Sequence, residues 1–204
     1  MKRKIELQDA VFEGISSVFA KAGGWDFTTS GSGSTAKENL VISSDTGMYE
    51  FPVSDESGFS FDTGAPSVDN FKIKGLGAAW VSTFTPGDGS ITLEIPCNDT
   101  DIVKLCFGTD AKAASITLPQ AVIGGAETTK TFEGAAFAAP QKAVTLGLMI
   151  LNDTEDKLLF IKKAKFMAKL MFDGSNKPLC VVLTGNIQNG ADPTAFGVLE
   201  LTAA

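Results

Sequence analysis

Alternating apolar and polar positions recur along most of the chain, and this period of two is typical of half-buried β-strands. The clearest case is residues 90–95, where Ile91, Leu93 and Ile95 alternate with Thr92 and Glu94. About ten such segments, joined by glycine-rich turns, can be counted along the sequence. They predict a mainly β fold, an antiparallel β-sandwich or barrel.

One short helix is predicted at about residues 99–107. Pro96 ends the preceding strand, and Asn98, Asp99 and Thr100 follow it, each a good N-cap residue. The segment DIVKLCF then supplies an apolar face, and Gly108 suits a left-handed C-cap. We expect this helix to pack on the sheet.

Two long segments are less regular. The segment from about residue 24 to residue 69 is predicted to form a long excursion from the sheet. Within it we expect a mobile Ser-Gly loop and short strands at LVISS (40–44) and MYEFPV (48–53). Residues 70–84 are predicted to form one long strand with a bulge near Gly75 or Gly77. The whole chain, 1–204, is predicted to be a single β domain.

The lysine-rich segment 157–172 has two interpretations. As a helix it would present the stripe Phe160, Ala164, Met167 and Met171. As a strand, which we favour, it has one apolar face interrupted only by Lys162. That face consists of Leu158, Phe160, Ala164, Phe166, Ala168, Leu170 and Phe172.

Composition argues against catalysis. The chain contains no histidine, which excludes Ser-His-Asp and Cys-His mechanisms and imidazole zinc sites within it. Its three cysteines include no Cys-x-x-Cys pair, which excludes a four-thiolate metal site. The carboxylate clusters at 55–56, 99–101 and 155–156 lie in predicted turns or a helix cap, where acids have structural roles. We therefore expect no enzyme, no cofactor and no metal.

Charge is distributed unevenly around a net value of −7. Residues 26–69 hold eight acids against Lys37 alone, whereas residues 157–177 hold six lysines against Asp173 alone. Two solvated faces would explain this, and so would copies of the protein that meet acidic segment to basic segment. The candidate contact residues are Asp55, Glu56, Phe59, Phe61, Lys163, Lys165 and Lys169.

No export signal is recognised. The basic start MKRK is followed by Glu6, Asp9 and Glu13, which break any apolar region of a signal peptide. The apolar run LGLMIL is too short to span a membrane. We expect synthesis and assembly in the cytoplasm, without a membrane anchor.

Two segments of the chain resemble segments of one known protein family. The run GFSFDTGAPSVDNFKIKGLGAAWVSTFTPGDGSITLEIPCNDTDIVKLCFG (58–108) resembles a segment of phage major tail tube proteins. It shares their order of polar hairpin, strand with Gly-Leu and Trp, Gly-Asp turn, strand ending in Ile-Pro, and short helix closing on Phe-Gly. The segment FIKKAKFMAKLMFDGSNKPLCVVLTGNI (160–187) is similar to that family's C-terminal hairpin, while residues 24–57 have no match.

The resemblance implies six-membered rings stacked into a hollow tube, in a virion, through which DNA passes without specific binding. It implies as partners other copies of the chain and other tail proteins, and it implies long loops that bridge rings or neighbouring subunits. From the charge distribution we expect Lys163, Lys165 and Lys169 to meet the acidic excursion across a ring boundary. An acidic lumen would repel phosphates, and Thr92 and Glu94 are candidates to line it.

Other classes remain open. A phage head-decoration or neck protein would also be acidic and β-rich, as would a non-catalytic β-sandwich adhesin or binding module. The inner tube of a contractile injection system is the nearest related interpretation.

Overall fold

A computed structural model describes residues 12–32, 36–42, 47–53, 58–71, 74, 81–85, 87, 89–96, 99–108, 112–119, 129–137, 142–172, 174, 178–188 and 194–201. These residues contain fourteen strands and one helix. The strands are β1 (Ser17–Ala22), β2 (Thr28–Ser30), β3 (Lys37–Asn39), β4 (Met48–Phe51), β5 (Phe59–Asp62), β6 (Ser67–Phe71), β7 (Val81–Thr85), β8 (Ser90–Ile95), β9 (Lys112–Pro119), β10 (Thr129–Ala136), β11 (Val144–Leu151), β12 (Lys157–Met171), β13 (Cys180–Ile187) and β14 (Phe196–Glu200). The helix is α1 (Thr100–Phe107).

Eight strands form one main sheet in the order β4-β1-β11-β12-β13-β8-β5, with β14 pairing β12 beside β13. The other described strands form three two-stranded ribbons, β2–β3, β6–β7 and β9–β10. All ladders between described strands are antiparallel. The predicted mainly β, antiparallel fold with one short helix is therefore confirmed for the described part of the chain.

The main core lies on one face of the main sheet, and α1 packs on that face. Its side chains occupy alternate positions of the strands, as the period of two requires. The buried members are Val18, Ala20, Phe51, Ile91, Leu93, Ile95, Leu146, Leu148, Ile150, Leu159, Ile161, Ala164, Phe166, Ala168, Val181 and Leu183, with Val103, Cys106 and Phe107 from the helix. We call the opposite face of the sheet the outer face.

The helix forms where it was predicted, and Asp99 is the one of the three candidate residues that caps it. The Asp99 carboxylate accepts hydrogen bonds from the backbone N–H groups of Asp101 at 2.9 Å and Ile102 at 3.1 Å. At the other end, the Gly108 N–H donates to the Lys104 carbonyl at 2.8 Å. Gly108 has the expected positive φ of 82°, but its ψ of −174° places it outside the left-handed helical region.

Part of the predicted excursion folds back onto the outer face. Trp25, Met149 and Phe160 form a second buried cluster, and partly buried Phe27 and Leu40 pack against it. Residues on either side of 33–35 pair as the β2–β3 ribbon, where we had expected a mobile loop. This part of the excursion is therefore held by hydrophobic contacts with β11 and β12.

Two strand predictions are wrong. Residues 70–84 do not form one strand, because β6 and β7 pair antiparallel and the chain must reverse direction between Phe71 and Val81. The predicted bulge at Gly75 or Gly77 lies outside the described residues. Residues 40–42 of LVISS lie outside any strand and leave Val41 86% exposed, whereas MYEF forms β4 as expected.

None of the helical segments in the described ranges is both long and apolar enough to cross a membrane.

Candidate assembly surface

A bulge in β12 decides which side chains reach the outer face. Leu146 pairs with Ala164 and Leu148 pairs with Ile161, so Lys162 and Lys163 together oppose the single residue Gly147. Side chains of a strand alternate between the two faces, so one extra residue shifts this alternation by one position. Odd-numbered side chains before the bulge therefore share a face with even-numbered side chains after it.

The face predicted for β12 must therefore be corrected. Leu159 and Ile161 lie in the main core before the bulge, whereas Phe160 belongs to the second cluster and Leu158 packs against it. After the bulge, the even-numbered Ala164, Phe166 and Ala168 enter the main core as predicted. Leu158 and Phe160 do not share a face with them, and the predicted interruption at Lys162 marks the bulge itself.

The bulge is also where β12 changes its hydrogen-bonded neighbour. Residues 157–161 pair with β14, and residues 164–171 pair with β13. Lys162 N–H donates to the Ala195 carbonyl at 2.9 Å, and Gln188 N–H donates to the Lys163 carbonyl at 2.9 Å. Trp25 N–H donates to the Lys162 carbonyl at 2.9 Å, which ties the excursion to this point.

Lys162 is a structural residue. Its side chain is 9% exposed, its ammonium lies 5.1 Å from the centre of the Phe27 ring, and it donates to the Thr194 hydroxyl. A cavity of about 200 Å³ opens beside it. The lysine is thus held by its own chain, and the contact with the Phe27 ring is of the cation–π type.

Lys163, Lys165 and Lys169 all lie on the outer face and are exposed. Lys163 forms an exposed ion pair with Asp26 of the same chain, with 3.7 Å between its Nζ and the Asp26 carboxylate. Its charge is therefore partly neutralised by the excursion before any second copy arrives. Exposed pairs of this kind stabilise a fold only weakly.

Beyond the bulge, lysine and methionine alternate on the outer face of β12. We call Lys165, Met167, Lys169 and Met171 the Lys–Met stripe. All four are exposed, Met167 to 48% and Met171 to 38%. Ion pairs among the described residues involve neither Lys165 nor Lys169. The stripe thus combines two uncommitted positive charges with uncovered apolar surface.

The predicted lumen residues share this face with the lysines. Thr92 pairs with Thr184 and Glu94 pairs with Val182, which itself pairs with Lys169. Glu94 and Lys169 therefore flank the buried Val182 from strands on either side, about 10 Å apart at the usual strand spacing. The structure brings together on one face residues that we had assigned to two different roles.

No family model matches this chain, and no curated protein matches its sequence.

Phe59 and Phe61 point to the main core. They pair with the buried Leu93 and Ile91, and both pack against the main core cluster. The Phe61 ring also meets the Phe196 ring edge to face, with 5.4 Å between their centres. Both rings thus stabilise their own chain, and their part in subunit contact stays a prediction.

The remaining predicted contact residues, Asp55 and Glu56, lie outside the described residues. Two further exposed residues lie on the β6–β7 ribbon: Asp69, which was counted only as one of the eight acids of residues 26–69, and Phe71, which was placed only in the predicted long strand. Their signal was an acid and an aromatic two positions apart in a polar segment, which places both on one face of a strand.

Proposed function

We propose that this protein is a non-enzymatic structural subunit that assembles with copies of itself into hexameric rings stacked as a tube, like the tail tube proteins that it resembles. On this proposal the assembly belongs to a virion, is built in the host cytoplasm, and lets DNA pass without specific binding. Its other partners are further tail proteins.

The observation that carries the proposal is the pair of apolar residues left uncovered on the β9–β10 ribbon. Ile116 and Phe132 face each other directly across that ribbon and are 61% and 54% exposed. A two-stranded ribbon is marginally stable alone, and exposed apolar surface of this kind is typical of a contact site. An assembly in which neighbouring copies cover the ribbon would account for both features.

The outer face suits contact between subunits better than it suits a DNA channel. Lys165 and Lys169 would bring positive charge to a wall past which phosphates must slide, and that charge would retain DNA. Thr92 and Glu94 share the face, so we move them from the lumen to the proposed subunit contact. The acidic lumen then remains an expectation without assigned residues.

Imaging tests the proposal directly. Negative-stain electron microscopy of the purified chain, with light scattering for mass, should show rings or hollow tubes. A closed ring that never grows would support a head-decoration or neck protein instead. A species that stays at 21.3 kDa even with preformed tube ends as seeds would support a binding module.

A charge reversal tests the role of the outer face. Lys165→Glu combined with Lys169→Glu should abolish tube growth and leave the unfolding temperature of the dispersed chain nearly unchanged, because both side chains are exposed. Lys37→Glu combined with Lys104→Glu changes the net charge equally and serves as the control. Normal tubes from the first variant would contradict the assignment.

A further inference from the structure

Strand β6 of the β6–β7 ribbon is uncovered along its whole length. Every residue of β6 is exposed, and Phe71 is 64% exposed. The described partner of β6 is β7, and this ribbon stands apart from the main sheet. A two-stranded ribbon of this kind is at best marginally stable unless another protein surface packs on it.

One face of β6 combines a charge with an aromatic ring. Asp69 and Phe71 are two residues apart and therefore point to the same side. Ion pairs among the described residues do not include Asp69. This face presents a free carboxylate about 7 Å along the strand from an uncovered ring.

The Lys–Met stripe has the complementary pattern at the same spacing. Lysine alternates with methionine at every second residue of β12, so charge and apolar surface also repeat about every 7 Å. Met167 and Lys169 are neighbours in this repeat. Methionine sulfur packs favourably against an aromatic ring, and Lys169 attracts a carboxylate.

We propose that the β6–β7 ribbon of one copy docks on the Lys–Met stripe of the next copy. Asp69 contacts Lys169, and Phe71 covers Met167, with the two strands running in opposite directions. The occupant of the stripe is a second copy of this chain. This inference rests on the proposed self-assembly and names the surfaces that carry it.

The other free ribbon does not offer the same match. On β10, Glu133 pairs with Ser115, one position along from the Phe132–Ile116 pair. The acid and the aromatic ring therefore lie on opposite faces of that ribbon. Since the proposed assembly also covers this ribbon, the control for a charge change is taken elsewhere, at the exposed Glu13 that precedes β1.

Three variants test the docking: Asp69→Lys, Lys169→Asp and the two combined. Each single variant should raise the concentration needed for half-assembly about tenfold or more, because it replaces attraction by repulsion at every copy of the contact. The combined variant restores an opposite-charge pair and should assemble within about threefold of the unmodified chain. Glu13→Lys, a charge reversal outside the ribbons and the Lys–Met stripe, should assemble normally. Sedimentation velocity measures the assembled fraction, and circular dichroism checks folding.

The outcomes separate this inference from the proposed function. If the unmodified chain assembles and both single variants assemble equally well, the docking is wrong and the proposed function stands. If the single variants fail and the combined variant also fails while remaining folded, the specific Asp69–Lys169 contact is wrong. If the unmodified chain does not assemble even when seeded, the proposed function falls and the docking falls with it.

Discussion

At the scale of single residues, the tight loop between β11 and β12 is organised by the buried amide of Asn152. Its Oδ1 accepts from the backbone N–H of Lys157 at 2.8 Å. Its Nδ2 donates to the Thr154 hydroxyl and to the Asp156 carboxylate, each at 2.7 Å. Asn152 is 2% exposed, so a substitution that removed these groups would leave buried polar atoms unpaired.

This loop predicts an acid-sensitive contribution to stability. Hydrogen bonds from Thr154 and Asn152 to the Asp156 carboxylate lower its pKa from the ordinary 3.8 to about 2. A depressed folded-state pKa contributes stability that is fully present above the unfolded value and is lost as pH falls from about 4 toward 2. Asp156→Asn should therefore lower the unfolding temperature at neutral pH, and its difference from the unmodified chain should shrink below pH 4. A difference that stayed constant down to pH 2 would contradict this assignment.

Glu155 in the same loop has a strained backbone. Its φ is 56°, in the left-handed region that costs an L-residue roughly 1–2 kcal/mol. Glu155→Gly should raise the free energy of unfolding by about 1 kcal/mol. Glycine removes the backbone strain of the folded state, and this stabilisation exceeds the cost of the extra conformational entropy that glycine gives the unfolded chain. Its exposed contact with the Ser16 hydroxyl adds little. Glu155→Ala removes the same side chain without relieving φ, so denaturant unfolding should show no comparable gain for it.

At the scale of elements, the bulge in β12 depends on a glycine in the neighbouring strand. A Cβ added at Gly147 would lie 2.3 Å from Cδ1 of Trp25 and 2.8 Å from the carbonyl oxygen of Lys162. Because one of these atoms belongs to the backbone, the crowding cannot be relieved by a side-chain rotation alone. The bulge, the Trp25 contact and Gly147 thus form one packing unit.

Gly147→Ala should consequently destabilise the chain by about 1–3 kcal/mol, the usual cost of overpacking a filled interior. Gly134→Ala in β10 is a suitable control, since a Cβ there meets nothing within 4 Å. Its effect should stay within about 0.5 kcal/mol. Equal effects of the two substitutions on urea unfolding would show that Gly147 is not a packing constraint.

A helix or strand can be predicted from the sequence when the residues that determine it are its neighbours in the chain. The helix at 100–107 was predicted because its cap, Asp99, is adjacent to it in the chain. The facing of β12 was predicted wrongly before the bulge, because the bulge requires Gly147 and Trp25, which are remote in sequence. The exposed Lys165 and Lys169 followed from alternation alone. The ribbon bearing Asp69 was missed because Gly75 and Gly77 were interpreted as a bulge within one strand and not as a sign that the chain reverses.

At the scale of the whole molecule, the described chain divides into a well-packed part and a thinly packed part. The main sheet and α1 share one core, so they are expected to open together. The β6–β7 and β9–β10 ribbons have mostly exposed residues and lie outside the main sheet. Local opening of such ribbons requires little free energy, because few buried contacts are lost.

Amide hydrogen exchange should distinguish the two ribbons from the main sheet in the dispersed chain, and it should show how the protection of the ribbons changes on assembly. In the dispersed chain, amides of the two ribbons should exchange far faster than those of β11, β12 and α1. On assembly, the β6–β7 amides should become protected because a second copy covers them, while the protection in the main sheet should change little. The main-sheet amides serve as the internal reference. Protection of β6–β7 equal to that of β12 in the dispersed chain would mean that the ribbon is already stabilised by its own chain, and the driving force that we assign to its docking would then be absent.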